Sequence, residues 1–283
     1  MIPAAFEYVR AESVAEAVAA LAEHGEEAKV LAGGHSLIPL MRLRLAFPEV
    51  LIDVSRIGEL QGVRDDGDHL VIGAATTHHT VQHDPLVAQH CGVLAHVTAT
   101  VGDPQVRHRG TIGGALAHGD PAGDLPAAVL ALDAELVATG PDGPRTIAAA
   151  EFFRDYLETA LAPGELLTEI RVPKLDGAWG WHYEKFNRVA QAWAIVGACA
   201  IVRRDNGTIG EARVGLTHMG AVPLRASATE AALRGADTQA ATLQAAAEQA
   251  AEGTDPPADH NAQPDYRKHL ARVLTRRALE AAL

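Results

Sequence analysis

The chain has 283 residues, of which 48% are apolar, and a formal net charge of -12. This acidity argues against nucleic-acid binding, because phosphate contacts need clustered Lys and Arg side chains. No apolar run approaches the roughly 18 residues that cross a bilayer and the N-terminus lacks an export-signal pattern, so we expect a cytoplasmic chain without a transmembrane segment.

Residues 1–57 alternate between helical and strand patterns. SVAEAVAALAEHG has apolar residues at helical spacing, with Ser13 as N-cap and Gly25 as stop signal. AKVLAGG then reads as a short buried strand, SLIPLMRLRLAF as a short helical or irregular run, and EVLIDVSRI as a second strand. This order predicts a small β–α–β unit.

Residues 58–176 show a second pattern. GVRDDGDHLVIGAATT predicts a hairpin turning at Asp-Asp-Gly-Asp, and TVQHDPLVAQHCGVLAHVTATVG predicts helix. DLPAAVLALDAELVATGPDGPRTI predicts a helix with Pro126 near its first turn and then a strand. GELLTEIRVP predicts the strand that closes this part of the chain.

Residues 177–283 have a different organisation, and we place the boundary within PKLDGAWG. WHYEKFN and WAIVGACAIVRRDNGTIGEARVGLTHMG predict strands with a hairpin turn at Asn206-Gly207. Two Ala-rich helical segments follow. Strands followed by helices indicate an α+β domain.

Two doubled glycines stand at the ends of apolar runs, in VLAGGHSL (30–37) and GTIGGA (110–115). A Gly-Gly pair allows close approach to the backbone, and successive amides in such a turn can form a nest for an anion. Ser36 and Thr111 add hydroxyl donors. Each segment could cradle a phosphate and the two together suit a diphosphate, although either pair alone is also consistent with a tight turn. Neither matches the P-loop or Rossmann fingerprint.

Cysteine and histidine give weaker signals. Cys91 and Cys199 are the only cysteines, and an iron–sulfur cluster generally needs four. His79 and His83 have ligand-like spacing if they are helical. No third ligand is evident nearby, so we interpret THHTVQHDP as the polar face of a surface helix rather than a metal site.

Four segments together resemble a known family. LAGGHSLIPLMRLRL, PQVRHRGTIGGALAHGDPAGDLPAAVLAL, GELLTEIRVP and DYRKHLARVLTRRAL are similar, in this order, to segments of the FAD-carrying medium subunits of molybdenum hydroxylases. Among these, the segments resemble those of carbon monoxide dehydrogenase medium subunits. The resemblance implies a vanillyl-alcohol-oxidase-type α+β fold: FAD-binding subdomains at residues 1–57 and 58–176, and a C-terminal domain, an antiparallel sheet with helices, at 177–283.

The resemblance also implies two groups of FAD contacts on the glycine segments. The pyrophosphate and ribityl region would be lined by Ala32, Gly33, Gly34, His35 and Ser36. A second loop would be formed by Thr111, Ile112, Gly113, Gly114 and Ala115. Relatives often have a polar residue at the last position, so Ala115 removes one side-chain hydrogen bond.

Four further positions are implied in the same way. Asp124 would hydrogen-bond the cofactor, with capping of the Pro126 helix as its alternative role. Leu167 would touch the flavin through its backbone. Lys185 would place a cation near the isoalloxazine ring, where positive charge raises the flavin potential, or would be a solvated strand lysine. Trp193 would cover a flavin face or be a buried core residue.

The function implied by the resemblance is electron transfer. [2Fe-2S] clusters on a small partner subunit would deliver electrons to FAD, molybdopterin would lie on a large partner subunit, and the expected assembly is a dimer of heterotrimers. No acid–base catalytic residue is expected here. Substrate (carbon monoxide, purine, N-heterocycle or aldehyde) and acceptor (quinone, NAD or oxygen) stay open. The alternatives are a self-contained FAD-dependent oxidase with its own organic substrate, and an assembly module that has lost its flavin.

Overall fold

The computed structural model describes all residues from 1 to 283, and its N-terminal part is a small parallel sheet. Its elements are β1 (Glu7–Arg10), α1 (Val14–His24), β2 (Ala28–Leu31), α2 (Leu37–Arg42) and β3 (Val50–Asp53). The strand order is β1-β3-β2, and both pairs are parallel. Ser13 caps α1 and Gly25 ends it, as predicted. The sequence pattern missed β1, because this strand has only four mostly exposed residues.

A five-stranded antiparallel sheet with helices forms the middle of the chain. Its elements are β4 (Val63–Asp66), β5 (His69–Gly73), α3 (His78–His83), α4 (Pro85–His90), α5 (Gly92–Ala99), α6 (Pro104–Arg107), α7 (Ile112–His118), α8 (Asp124–Ala131), β6 (Glu135–Gly140), β7 (Gly143–Ala148), α9 (Ala149–Phe152), β8 (Phe153–Asp155), β9 (Glu158–Thr159) and β10 (Leu166–Pro173). The sheet order is β4-β5-β10-β6-β7, and β8 pairs with β9 separately. The predicted hairpin is confirmed as β4 and β5, and the predicted Pro126 helix as α8.

A four-stranded antiparallel sheet and three helices form the C-terminal part. They are β11 (Trp179–Phe186), β12 (Val196–Asp205), β13 (Thr208–Thr217), β14 (Leu224–Arg225), α10 (Ser227–Leu233), α11 (Ala240–Ala247) and α12 (Pro264–Ala282). Asn206 and Gly207 make the predicted turn between β12 and β13, both with positive φ. The first Ala-rich segment is two helices rather than one, because the chain turns at Gly235 with φ 76°.

The buried side chains form three clusters, one for each of the three larger sheets. The middle cluster also contains Tyr183, Cys199 and Ile201 from the C-terminal sheet, so these two parts share a core. The architecture is α+β, as predicted; the proposed divisions after residues 57 and 176 stay a prediction. None of the helices combines the length and apolar character needed to cross a membrane.

Candidate functional site

The first glycine segment is a loop that connects β2 to α2. Gly34 has φ 75°, a conformation that glycine adopts without steric cost. The Nδ1–H of His35 donates to the carbonyl of Gly33 at 3.1 Å. None of the main-chain N–H groups from Ala32 to Ser36 donates a hydrogen bond within the chain. Consecutive amides without partners are the donor arrangement that suits an anion.

The two glycine segments pack directly against each other. A Cβ built on Gly33 would overlap the carbonyl group of Arg109 and would lie 2.8 Å from the Cα of Gly110. Glycine at position 33 is therefore required by the contact between the segments. The sequence pattern favours the approach of a ligand as the reason for this glycine, whereas packing is the reason that the structure shows.

The second glycine segment forms the first turn of α7, whereas the sequence pattern predicts a loop there. The Thr111 hydroxyl caps the helix by accepting from the N–H of Gly114 at 3.1 Å. The other amides are also occupied: Ile112 donates to the Thr76 carbonyl, and Ala115 to the Thr111 carbonyl. The expectation of free amides therefore holds for residues 32–36 and is wrong for residues 112–115.

The two glycines of this turn differ in what they face. Gly113 is buried against Ala74, where a Cβ would lie 2.5 Å from the Ala74 side chain, and its N–H donates to the Ala74 carbonyl. Gly114 is exposed, and a Cβ built on it would meet, outside the helix backbone, only the Thr111 hydroxyl oxygen within 4 Å. The surface beside Gly114 is thus open to a bound group. These observations fit a diphosphate beside residues 32–36, with Gly114 leaving room for the rest of a nucleotide.

Asp124 and Lys185 form a buried ion pair between α8 and β11. The Lys185 ammonium lies 2.8 Å from Asp124 Oδ2, and both side chains are less than a tenth exposed. Lys185 also donates to the carbonyl of Thr100 at 3.0 Å. Tyr183, two residues before Lys185 on the same face of β11, donates its hydroxyl to Asp124 Oδ1 at 2.6 Å. Asp124 makes no capping hydrogen bond, so the alternative prediction that it caps the Pro126 helix is wrong. The alternative prediction that Lys185 is solvated is also wrong, because its side chain is buried.

The electrostatics of this cluster follow from its burial. Burial raises the pKa of the Asp124 carboxyl, and the charge and hydrogen bond of Lys185 act against that rise. Burial also raises the pKa of Tyr183 well above its ordinary value, and the neighbouring Asp124 carboxylate adds to the effect. Tyr183 is therefore a neutral hydroxyl donor, and the only formal charges in the cluster are those of the pair.

Leu167 and Trp193 lie in different environments. The Leu167 side chain belongs to the middle core, which leaves only its main chain available for contacts, at a bulge in β10 between Leu167 and Glu169. Trp193 is 54% exposed, so the prediction of a buried core Trp is wrong. The loop that carries Trp193 is tied to the start of α6 through Gln191, which donates to the N-cap residue Asp103 at 2.6 Å.

His78 supports the second glycine segment, a role for which the sequence pattern carries no signal. Its N–H donates to the Gly110 carbonyl, and its ring lies under Gly110, where a Cβ would meet it at 2.8 Å. Burial lowers the pKa of His78 to about 4, so the ring is neutral at pH 7. His79 and His83 lie on the outer side of α3, as predicted. The His79 ring stacks on the His108 ring with 3.9 Å between the ring centroids. The chain has no group of three or more His, Cys, Asp or Glu side chains that could hold a metal ion.

Two known protein families match this chain. Residues 4–175 match the family described as the FAD binding domain in molybdopterin dehydrogenase, and residues 181–282 match the CO dehydrogenase flavoprotein C-terminal domain. The arrangement is thus that of an FAD-binding oxidoreductase subunit. The chain belongs to the flavoprotein family of molybdopterin dehydrogenases.

Relatives match along the whole chain. The carbon monoxide dehydrogenase medium chain of Hydrogenophaga pseudoflava is 42% identical, over 100% of this chain and 98% of that protein. The glyceraldehyde dehydrogenase medium chain of Sulfolobus acidocaldarius is 34% identical, over 99% of each. A solved structure of carbon monoxide dehydrogenase from Hydrogenophaga pseudoflava, a form lacking the Mo-pyranopterin moiety, superimposes with a TM-score of 0.98 at 45% identity, covering 100% of this chain and 98% of that one.

Proposed function

We propose that the loop at residues 32–36 holds the diphosphate of FAD. Its five free amides supply the donors, and the Ser36 hydroxyl can add one more. Gly114 contributes the exposed surface beside this loop, and the buried Thr111 acts by capping the helical turn that carries Gly114. Ile112, Gly113 and Ala115 act through packing, because their amides are already bonded within the chain.

The buried pair then has a role in tuning the cofactor. When bound, FAD supplies a two-electron carrier, and a fixed positive charge nearby raises its reduction potential. Lys185 is held in place by Asp124 and the Thr100 carbonyl; because the Asp124 carboxylate offsets its charge, the pair would act on FAD as a fixed dipole whose positive end is the Lys185 ammonium. The Leu167 main chain and the exposed Trp193 indole are the further groups that we assign to the flavin.

The chain would act as the electron-transfer subunit of a carbon monoxide dehydrogenase-like complex. Its two cysteines are fully buried, and burial raises the pKa of each thiol to about 12. Thiolates are the usual ligands of a [2Fe-2S] cluster, and four are generally needed. The clusters must therefore be on another polypeptide, which we take to be a small iron–sulfur subunit, with molybdopterin on a large one. Electrons would pass through this chain to an external acceptor.

The observation that carries the proposal is the free-amide loop packed against the first turn of α7. It favours a nucleotide cofactor over a flavin-free assembly module. A self-contained oxidase would need a base beside the flavin. The buried Asp124 carboxylate is already bonded to Lys185 and Tyr183, which argues against its acting as that base.

Anaerobic reduction of the purified chain tests the assignment. We expect a yellow protein whose flavin absorbance is not bleached by aldehydes, purines or carbon monoxide, but is bleached after addition of the pre-reduced iron–sulfur subunit. Bleaching by an organic substrate in the isolated chain would establish the oxidase instead. A colourless chain that takes up no FAD would refute both.

A further inference from the structure

Arg267 is a buried arginine in the C-terminal part of the chain, outside the groups assigned to FAD. It lies on α12 and is the only arginine whose side chain is fully buried. Its Nη2 lies 2.7 Å from Asp259 Oδ1, and its Nη1 donates to the main-chain carbonyl of Ile195. A buried ion pair seldom stabilises a fold more than well-packed apolar side chains would. What Arg267 holds in place therefore explains its burial better than stability does.

His218 holds the carbonyl just before that of Ile195. Its Nδ1 lies 2.8 Å from the carbonyl oxygen of Ala194, to which it can donate, and 3.0 Å from Arg267 Nη1. Burial lowers the pKa of His218 and the charge of Arg267 lowers it further, so the ring is neutral at pH 7. His218 has φ 63°, which is uncommon for a residue with a side chain and tends to occur at functional sites. A histidine adds its imidazole contacts here, whereas a glycine would meet the backbone requirement alone.

The two carbonyls belong to the residues that directly follow Trp193. Ala194 and Ile195 are buried, whereas Trp193 and residues 188–191 are exposed. The N–H of Ile195 donates to the Phe186 carbonyl at 2.8 Å, which closes the base of the exposed loop. Because the Trp193 indole is itself largely exposed, its position depends on the backbone that carries it. The guanidinium and the imidazole bond that backbone at its first two buried residues.

We propose that Arg267 and His218 are positioning residues for Trp193, which they hold against the flavin by fixing the two carbonyls that follow it. The inference rests on the proposed function, because it requires contact between Trp193 and the flavin. The same anchor reaches the helix that carries the buried pair, since the N–H of His218 donates to the Pro121 carbonyl at 2.8 Å. Pro121 lies just before α8, which begins at Asp124. This bond ties the segment after Trp193 to the start of α8.

Substitutions in the FAD-loaded chain test this role through two readouts, the dissociation constant of FAD and the fluorescence of bound flavin, which a neighbouring indole quenches. Trp193→Ala should weaken FAD binding about two- to twelvefold, the contribution of an aromatic stack, and relieve the quenching. His218→Gly removes the imidazole and Arg267→Met removes the bond to Ile195. Each should weaken FAD binding at least about twofold and relieve part of the quenching. In the Trp193→Ala background, each should change the dissociation constant by less than about twofold, because the residue through which it acts is gone.

Two further variants separate positioning from stability. His218→Asn is the conservative variant: asparagine tolerates positive φ and its amide can donate to the Ala194 carbonyl, so we expect quenching and FAD affinity near those of the wild type. Arg225→Met is the matched control, because Arg225 also bonds a carboxylate and a main-chain carbonyl, those of Glu230 and Leu130. It should lower Tm without changing the flavin fluorescence.

Unchanged fluorescence and affinity in His218→Gly and Arg267→Met, or equal losses with and without Trp193, overturn the positioning role. Failure of His218→Asn to restore what His218→Gly loses also overturns it, and if Arg267→Met does not fold, the two His218 variants decide. A Trp193→Ala variant with wild-type fluorescence and affinity refutes the assignment of Trp193 to the flavin, and with it the role of Arg267 and His218. A response to Trp193→Ala alone refutes only the positioning role, whereas a wild-type chain that binds no FAD refutes the proposed function as a whole.

Discussion

Replacing Lys185 by methionine tests the buried pair directly. The change keeps the length of the side chain but leaves the Asp124 carboxylate buried with only the Tyr183 hydroxyl as a partner. Removing one member of a buried ion pair typically costs about 3–5 kcal/mol. At about 2–4 °C per kcal/mol for large domains, Tm should fall by roughly 6–20 °C.

The loss of Tm in Lys185→Met should depend on pH in one direction. Burial already raises the pKa of Asp124 above its ordinary value of 3.8, and the variant loses the ammonium that acts against the rise. A carboxyl whose pKa is higher in the folded than in the unfolded state favours folding at pH values below its unfolded-state pKa. This contribution is lost as the pH rises through its folded-state pKa. The Tm deficit should therefore be full at pH 8 and shrink toward pH 4.5.

Thermal unfolding followed by circular dichroism at several pH values measures both effects. Lys174→Met is the matched control, because Lys174 pairs with the exposed Asp65 and its loss should change Tm far less. The double variant Lys185→Met with Asp124→Asn should recover most of the lost stability, since no buried charge remains. Equal Tm losses in Lys185→Met and Lys174→Met, or a deficit that does not vary with pH, would refute the reasoning.

Three further predictions concern other parts of the site. Gly114→Ala should reduce FAD per polypeptide, measured by absorbance, and should lower Tm by only about 2–4 °C, because its methyl group would displace the capping Thr111 hydroxyl 2.7 Å away, at a cost of about 1 kcal/mol. Trp193→Ala should change flavin fluorescence without lowering Tm, since the indole is 54% exposed; a large Tm loss would contradict this. Cys91 and Cys199 should react with a thiol reagent only after unfolding, because both are buried with a pKa of about 12; rapid labelling of the native chain would count against it.

Much of the fold could be predicted because its signals are local. Ser13 and Gly25 bracket α1, Asn206-Gly207 specifies a hairpin turn, and Pro126 lies in the first turn of α8. Each depends on a residue type that favours one backbone geometry. β1 carries no such signal, since its place in the sheet depends on pairing with β3, more than 40 residues away.

The site was harder to predict because its contacts are long-range. No local pattern places Tyr183 beside Asp124, 59 residues earlier, or buries Lys185. Lysine on a strand is usually solvated, and only the assembled fold supplies the carboxylate that makes burial tolerable. The glycine pair at 113–114 reads as a loop in the sequence because the Thr111 cap and the contact with Ala74 become apparent only in three dimensions.

The Asp124–Lys185 pair has one member on each side of the junction between the two family regions, at residues 4–175 and 181–282. Cutting the polypeptide there would leave the Asp124 carboxylate in one fragment and both of its partners, Tyr183 and Lys185, in the other. We therefore expect either region, expressed without the other, to be less stable than in the whole chain, because its buried polar groups would lack the partners that satisfy them.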